Sequence, residues 1–249
     1  MIKQRSEEMN KEMNKGLTYK DYDNLLETNF KFAQQAEGLR LKPYRCPAGK
    51  LTIGYGRNLD DKGITKKEAE DLLIKDLTEA QNIANTLVVY KEKLPDSVRL
   101  NQIIIWQQIL TDMAFNLGKN GLSKFKKFLK AVAEYRFDDA IVEMIDSQWF
   151  SQVGNRSKLL VIAGQSLTSL GYNLEEKIAD LYKYAKTLPP MPERKDLSQI
   201  DFAFYYELYQ WYLSKLAKFG DHKLVIAYLP PRFKKELDKA LDYFTYDNI

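Results

Sequence analysis

The chain has 249 residues, 45% of them hydrophobic and 29% charged, with a formal net charge of +4, which allows one large domain or two modest ones with a real core. Its apolar runs, such as 103–106 and 159–163, fall far short of the ~20 residues that span a bilayer, and +4 is too weak an excess to argue for nucleic acid, so neither a transmembrane segment nor a nucleic-acid partner is expected. One cysteine, Cys46, and one histidine, His222, exclude an internal disulfide and any metal site built from several thiolates or imidazoles; no metal and no cofactor is expected.

Residues 1–17 are charged throughout and lack the apolar stretch of a secretory leader, so synthesis in a cytoplasm is expected. Thr18 opens a helical pattern with Tyr22, Leu25, Leu26, Phe30 and Ala33 apolar, and Glu37-Gly38 closes it. Between Leu41 and Gly56, two short β-prone runs flank Pro47-Ala48-Gly49, which reads as a hairpin. Thr65-Lys-Lys-Glu68 is a capping box that should start a helix running to about residue 85, with Ala69, Leu72, Leu73 and Leu77 on one stripe. Further helices are predicted at about 98–117, 122–134, 137–146 and 156–169, with Gly171 as a C-terminal cap.

The composition then changes. Residues 166–249 hold 16 of the 31 aromatics and equal numbers of acids and bases, so the whole excess of +4 falls on the first 165 residues. That excess suits an anionic polymer such as the bacterial wall. Three amphipathic helices are predicted here. The first starts at Asn173-Leu-Glu-Glu176 with Ile178, Leu181, Tyr182 and Ala185 on one face, and the Pro-rich stretch 188–193 ends it. The second carries Tyr205, Leu208, Tyr209, Tyr212, Leu216 and Phe219. The third begins at Pro231, with Phe233, Leu237, Leu241 and Phe244 inward. Aromatic stripes at helical spacing favour core packing; a wall- or membrane-binding module and an attachment surface for a partner stay open.

Glu37 is the residue that suggests chemistry. A carboxyl at a helix C-terminus faces the negative end of the dipole, and with partial burial this favours the protonated form, as a proton donor for glycosidic cleavage requires.

The stretch Glu37-Gly-Leu-Arg-Leu-Lys-Pro-Tyr44, with Cys46 and Thr52-Ile-Gly-Tyr-Gly56, resembles the N-terminal lobe of the T-even phage-type lysozymes. Their pattern is Glu, eight residues, Asp or Cys, five residues, Thr. Three further stretches are similar to the same family in the same order: Gly63-Ile-Thr-Lys-Lys-Glu-Ala-Glu70, Asp112-Met-Ala-Phe-Asn-Leu-Gly118 with Phe125, and Ser147-Gln-Trp-Phe-Ser-Gln-Val-Gly-Asn-Arg156. The resemblance covers about 28–168. It implies an α+β fold: a small hairpin-sheet lobe, a long interlobe helix and a helical lobe, here followed by an extra helical region. The expected division is an arm at 1–27, a lysozyme-like catalytic domain at 28–169 and an aromatic-rich region at 170–249.

The resemblance also implies roles. Glu37 would protonate the leaving oxygen of the β-1,4 bond between N-acetylmuramic acid and N-acetylglucosamine in peptidoglycan. Cys46 and Thr52 would hold the attacking water. Arg156 matches the arginine that pairs with the catalytic Glu, Asn116 and Trp149 match a polar–indole pair behind the cleft, Phe115 would border the sugar, and Tyr44 would pack beside Glu37. Two positions depart from the commoner pattern. Cys46 replaces Asp, and a neutral thiol orients water but cannot stabilise an oxocarbenium ion as a carboxylate does. Arg57 replaces a His that pairs with an Asp on the interlobe helix, so an Arg57–Asp76 pair is expected.

The reading is therefore a monomeric muramidase, a phage or prophage endolysin made in the host cytoplasm and acting in the periplasm or wall after release by a holin or a secretion machine. Three alternatives stand beside it: a secreted antibacterial effector muramidase, a non-catalytic wall-binding protein, and a peptidase or amidase using Cys46 with His222.

Overall fold

The computed structural model describes residues 19–91, 93–166, 179, 183 and 197–244. The N-terminal arm, the helix start at Thr18, the Gly171 cap, the helix expected from Asn173 with its apolar face, and the break at 188–193 lie outside the described residues. Contacts divide the chain into two compact units, one up to Leu72 and one from Leu73 onward.

The first unit is built on local hydrogen bonding. Helix α1 (Tyr19–Glu37) precedes a three-stranded antiparallel sheet, β1 (Arg40–Arg45), β2 (Leu51–Gly54) and β3 (Arg57–Asn58), in the order β1-β2-β3. Tyr44 pairs with Thr52 and Arg45 with Leu51, while the register is irregular between Arg40 and Tyr44. Pro43 falls in that irregular stretch of an edge strand, where its missing N–H costs nothing. The expected hairpin turn closes through Cys46 N–H to Lys50 O (3.0 Å) and Gly49 N–H to Cys46 O (2.8 Å). A short helix α2 (Leu59–Lys62) follows, capped by the Asn58 side chain, which accepts from Asp61 N–H at 3.0 Å. Asp60 accepts the Leu51 N–H at 2.8 Å, and Lys50 pairs with Asp61 at 2.8 Å, so α2 holds the start of β2. The predicted capping box then opens helix α3 (Lys66–Leu87): Glu68 accepts from Thr65 N–H at 2.7 Å, and Thr65 Oγ1 accepts from Glu68 N–H at 3.2 Å.

The second unit is built on apolar burial. Helix α4 (Leu100–Leu122) buries Ile105, Trp106, Ile109, Leu110, Met113 and Ala114, and breaks at Gly118, whose φ of 64° is not helical. Helices α5 (Lys126–Ala133), α6 (Phe137–Asp146), α7 (Gln148–Gln152) and α8 (Asn155–Ser166) follow. Gly164 of α8 lets it close on its neighbours: a Cβ there would stand 3.2 Å from atoms of Ile109, Ile141 and Trp106. Further along the described chain come α9 (Gln199–Phe219), α10 (His222–Ile226) and α11 (Pro231–Phe244). One apolar core runs from Ala80 and Ala84 of α3 to Phe204, Phe233, Leu237 and Ala240.

Two stripes differ from expectation. On α3 the buried positions are Ala80 and Ala84, while Leu72, Leu73 and Leu77 are exposed. On α9, Leu208 and Tyr212 are buried as expected, but Phe219 is half exposed and Phe202, Ala203 and Phe204 are buried instead. The reason is that α9 packs against both α8 and α11, so its N-terminal half is covered on more than one face, while its last turn keeps only Leu216 against the core. On α11, Phe233 and Leu237 point inward, and Leu241 and Phe244 are half-buried.

Three polar ties accompany this packing. Lys158 of α8 pairs with Asp201 of α9, Lys215 of α9 pairs with Asp138 of α6, and Arg232 of α11 donates to the Asp146 carbonyl at 3.0 Å. Asp201 is held below the usual carboxylate range: burial would raise it, but the Lys158 ammonium and the Ser198 hydroxyl outweigh that.

Candidate active site

In the first unit, Glu37 is the last residue of α1. The helix ends there because Gly38 takes a φ of 66° and donates back to Gln34 O at 3.3 Å, a left-handed cap that a residue with a Cβ adopts only at a cost. The same turn ties α1 to the β2–β3 connection, where Gln34 Nε2 donates to Tyr55 Oη at 3.2 Å. The Glu37 carboxylate lies over Gly56: a Cβ on Gly56 would stand 3.0 Å from Oε2 and 3.3 Å from Cδ. Glu37 is exposed, so the partial burial expected of it is not found. A glycine beneath the carboxylate offers no side chain to cover it.

The hairpin brings Cys46 and Thr52 together. Thr52 is 3% exposed, the one buried side chain among those described in this unit, and its hydroxyl donates to Lys50 O at 3.0 Å. Burial alone would push the Cys46 thiol up, but hydrogen bonds with the backbone at Lys50 and Ala48 and with the Thr52 hydroxyl bring it below its ordinary value. Thr52 has a single hydroxyl proton, so donation to Lys50 O and donation to a Cys46 thiolate are alternatives. Tyr44, opposite Thr52, is half-buried, with the Arg40 guanidinium 4.3 Å from its ring centroid.

The partner expected for Arg57 is corrected. Its Nε donates to Gly63 O at 2.8 Å, which aims the guanidinium at the start of α3, and its terminal nitrogen meets Glu68 at 3.1 Å. The ion pair is Arg57–Glu68, eight residues before Asp76 on the same helix.

In the second unit, Asp112, Phe115 and Asn116 occupy one face of α4 at helical spacing. The Trp149 indole N–H donates to Asn116 Oδ1 at 2.7 Å. Trp149 is buried and also meets Phe125 edge-on, so hydrogen bonding and core packing coincide. Arg156, which the resemblance pairs with Glu37, is held within its own unit by a two-pronged bond to Asp112, at 2.8 and 2.7 Å, and lies 5.6 Å from the Phe115 ring. His222 Nδ1 is 2.8 Å from Tyr212 Oη, a contact wholly inside the C-terminal helices.

Two residues at these positions escaped the sequence reading. Asp112 stands in a stretch singled out there, one turn before Asn116, and that spacing was the available signal. Gly56 stands in the sequence only as the end of the Thr52–Gly56 run; what it leaves room for is visible only once α1 and the β2–β3 turn meet.

The profile of the family described as Phage lysozyme matches residues 34–164. Two curated proteins of Dictyostelium discoideum are similar over half of this chain and 86% of their own length: Probable T4-type lysozyme 2, 28% identical over 153 residues, and Probable T4-type lysozyme 1, 32% identical over 155. An Endolysin of Acyrthosiphon pisum secondary endosymbiont phage 1 is 36% identical over 86 residues, a third of this chain and 51% of that protein.

Proposed function

Because the chain belongs to the phage lysozyme family, we propose that it is a muramidase that hydrolyses the β-1,4 bond between N-acetylmuramic acid and N-acetylglucosamine, with Glu37 as general acid. The observation that carries this reading is the local one: an exposed carboxylate at a helix end, lying over a glycine of the turn that follows the Thr52 strand, in a unit whose hairpin also sets Cys46 beside Thr52. Glu37 gives its proton to the leaving glycosidic oxygen as the C–O bond breaks. Water held by Cys46 and Thr52 forms the new bond at the anomeric carbon from the opposite face and gives its proton to the Cys46 thiolate. A single displacement of this kind inverts the β bond to an α product. The lowered thiol of Cys46 raises its thiolate fraction, supplying part of the negative charge that an Asp gives in related sequences. Asp112 acts through Arg156 as a positioning residue, and Asn116 does so through Trp149.

The biological reading is a phage or prophage endolysin that reaches the wall after release, with a catalytic region at 28–169 and an added region at 170–249. The comparison with an Endolysin supports the first part. The common apolar core supports an added region packed on the catalytic one.

Glu37→Gln deletes the proton donor without changing size. Sugar release from purified peptidoglycan should fall by at least ~10²-fold with an unchanged melting temperature; a wild-type rate would refute the assignment. The first-formed anomer separates mechanisms: an α product supports water attack, whereas a β product would mean a double displacement through Cys46.

A further inference from the structure

We propose that a groove between the C-terminal helices and helices α5 and α6 is a second wall-binding subsite, taking the carboxylate-bearing stem peptides of peptidoglycan. The proposal rests on the muramidase reading for its choice of polymer. The groove has a volume of about 580 Å³ and lies wholly within the second unit. One wall belongs to the family-matched stretch and carries Lys127, Lys130 and Arg136, with the acids Asp139 and Glu143 beside them. The other lies beyond residue 164, where the family match ends, and carries Lys215, Phe219 and Tyr228.

The charges are graded. Arg136 is fixed by Glu134 and Asp139, and Lys215 by Asp138. Lys127 is 84% exposed and reaches Glu143 only at 4.0 Å, and Lys130 is exposed and forms no ion pair among the described residues. The groove thus offers two loosely committed cations beside two that are already neutralised. That pattern suits isolated carboxylates better than the continuous charge of a phosphate backbone.

The aromatics point the same way. Tyr228 is 94% exposed and Phe219 half exposed, whereas the other described Phe, Tyr and Trp rings of this region are buried or half-buried. An exposed ring with an apolar face and a polar tip suits recognition of a ligand that is part apolar and part wet. Peptidoglycan supplies both features at each repeat, a sugar or alkyl surface with a carboxylate nearby. Binding there would act by tethering, raising the effective concentration of polymer at the enzyme without touching the reacting atoms.

The test uses the full chain, because the C-terminal helices share the core of the catalytic part and are not a separable piece. In a Glu37→Gln background, which binds without cutting, cosedimentation with sacculi stripped of phosphate polymers compares the parent with Lys127→Glu/Lys130→Glu and with Tyr228→Ala. All three positions are exposed, so melting temperatures should match. The double variant is expected to bind roughly tenfold more weakly, equivalent to about 1.4 kcal/mol, and Tyr228→Ala to show a smaller loss. Sacculi with amidated carboxylates should hold the parent as weakly as the double variant. With Glu37 intact, hydrolysis of a short soluble glycan should be unchanged while KM on sacculi rises. Unaltered binding by the variants, indifference to amidation, or binding only to walls that retain phosphate polymers would overturn the subsite. Loss of the catalytic reading would appear separately, as hydrolysis surviving Glu37→Gln.

Discussion

The two units of this chain are stabilised in different ways. Up to Leu72, one described side chain is buried, Thr52, and order comes from caps, turns and short polar ties such as Leu51–Asp60 and Lys50–Asp61. From Leu73 onward, a single apolar core collects side chains from nine described helices, and the C-terminal ones contribute Phe204, Leu208, Phe233 and Leu237 to it. The difference separates chemistry from stability. The residues proposed to take part in the reaction sit in the polar unit, where one hydrogen bond sets a position. The residues that set stability sit in the helical unit, where a lost ring leaves a cavity.

The sharpest way to break this comparison is Phe204→Ala. Phe204 is fully buried and its ring lies 5.5 Å from that of Phe150, so it joins the C-terminal helices to the segment that carries Trp149 and Arg156. Truncating such a ring costs about 3–5 kcal/mol. If the added region shares the core, denaturant unfolding should stay a single transition with a lower midpoint. Two separated transitions, with only the smaller one shifted, would instead make residues 197–244 an independent domain.

Gly56→Ala probes the other unit. Gly56 has a φ of 78° and its missing Cβ faces the Glu37 carboxylate. An alanine there costs about 1–2 kcal/mol in backbone strain, and the flexible Glu side chain yields to the new methyl at little further cost. If Glu37 is the proton donor as proposed, activity should therefore fall far more than stability, because its carboxyl is displaced. Activity lost only in proportion to stability would mean that the position of Glu37 over this turn is unimportant.

Much of this architecture was legible in the sequence, and what was legible followed local rules. The Thr65–Glu68 box, the Pro47-Ala48-Gly49 hairpin and the start of α11 at Pro231 each depend on residues within four positions of one another. The spacing of Glu37, Cys46 and Thr52 was legible for the same reason, since a helix end and one hairpin carry it. The exposure of Glu37 was not legible, because it depends on Gly56 nineteen residues later. Nor was the grip of Asp112 on Arg156, 44 residues apart. On α9, periodicity predicted one stripe, and contact with two neighbouring helices made the buried surface wider and shorter. The Arg57 partner was misplaced along α3 because the hydrogen bond to the Gly63 carbonyl, which turns the guanidinium toward Glu68, is a tertiary feature with no periodic signature.

The smallest expected effect concerns how the polar unit opens α3, and it ranks two contacts on one carboxylate. Glu68 is held below the usual carboxylate range first by the Thr65 N–H, then by the Thr65 hydroxyl, with the Arg57 charge contributing least. A group whose folded pKa is depressed contributes stability that is fully present above its ordinary value and is lost as pH falls through the folded one. The contribution from Glu68 should therefore vanish only in acid, below its reference value of 4.5. Thr65→Ala removes the hydroxyl but keeps the backbone donor, and Arg57→Met removes the neighbouring charge together with the hydrogen bond to Gly63 O. An NMR titration of the Glu68 carboxyl should move upward in both variants, and further in Thr65→Ala. Thr65→Ala should also cost about 1 kcal/mol as a lost N-cap, and Arg57→Met, which removes a half-exposed ion pair and one hydrogen bond to Gly63 O, should cost about as much or less. If Arg57→Met moved the titration more, the ion pair rather than the capping box would organise this helix start, and the exposed charges of the first unit would matter to its stability as much as its turn chemistry does.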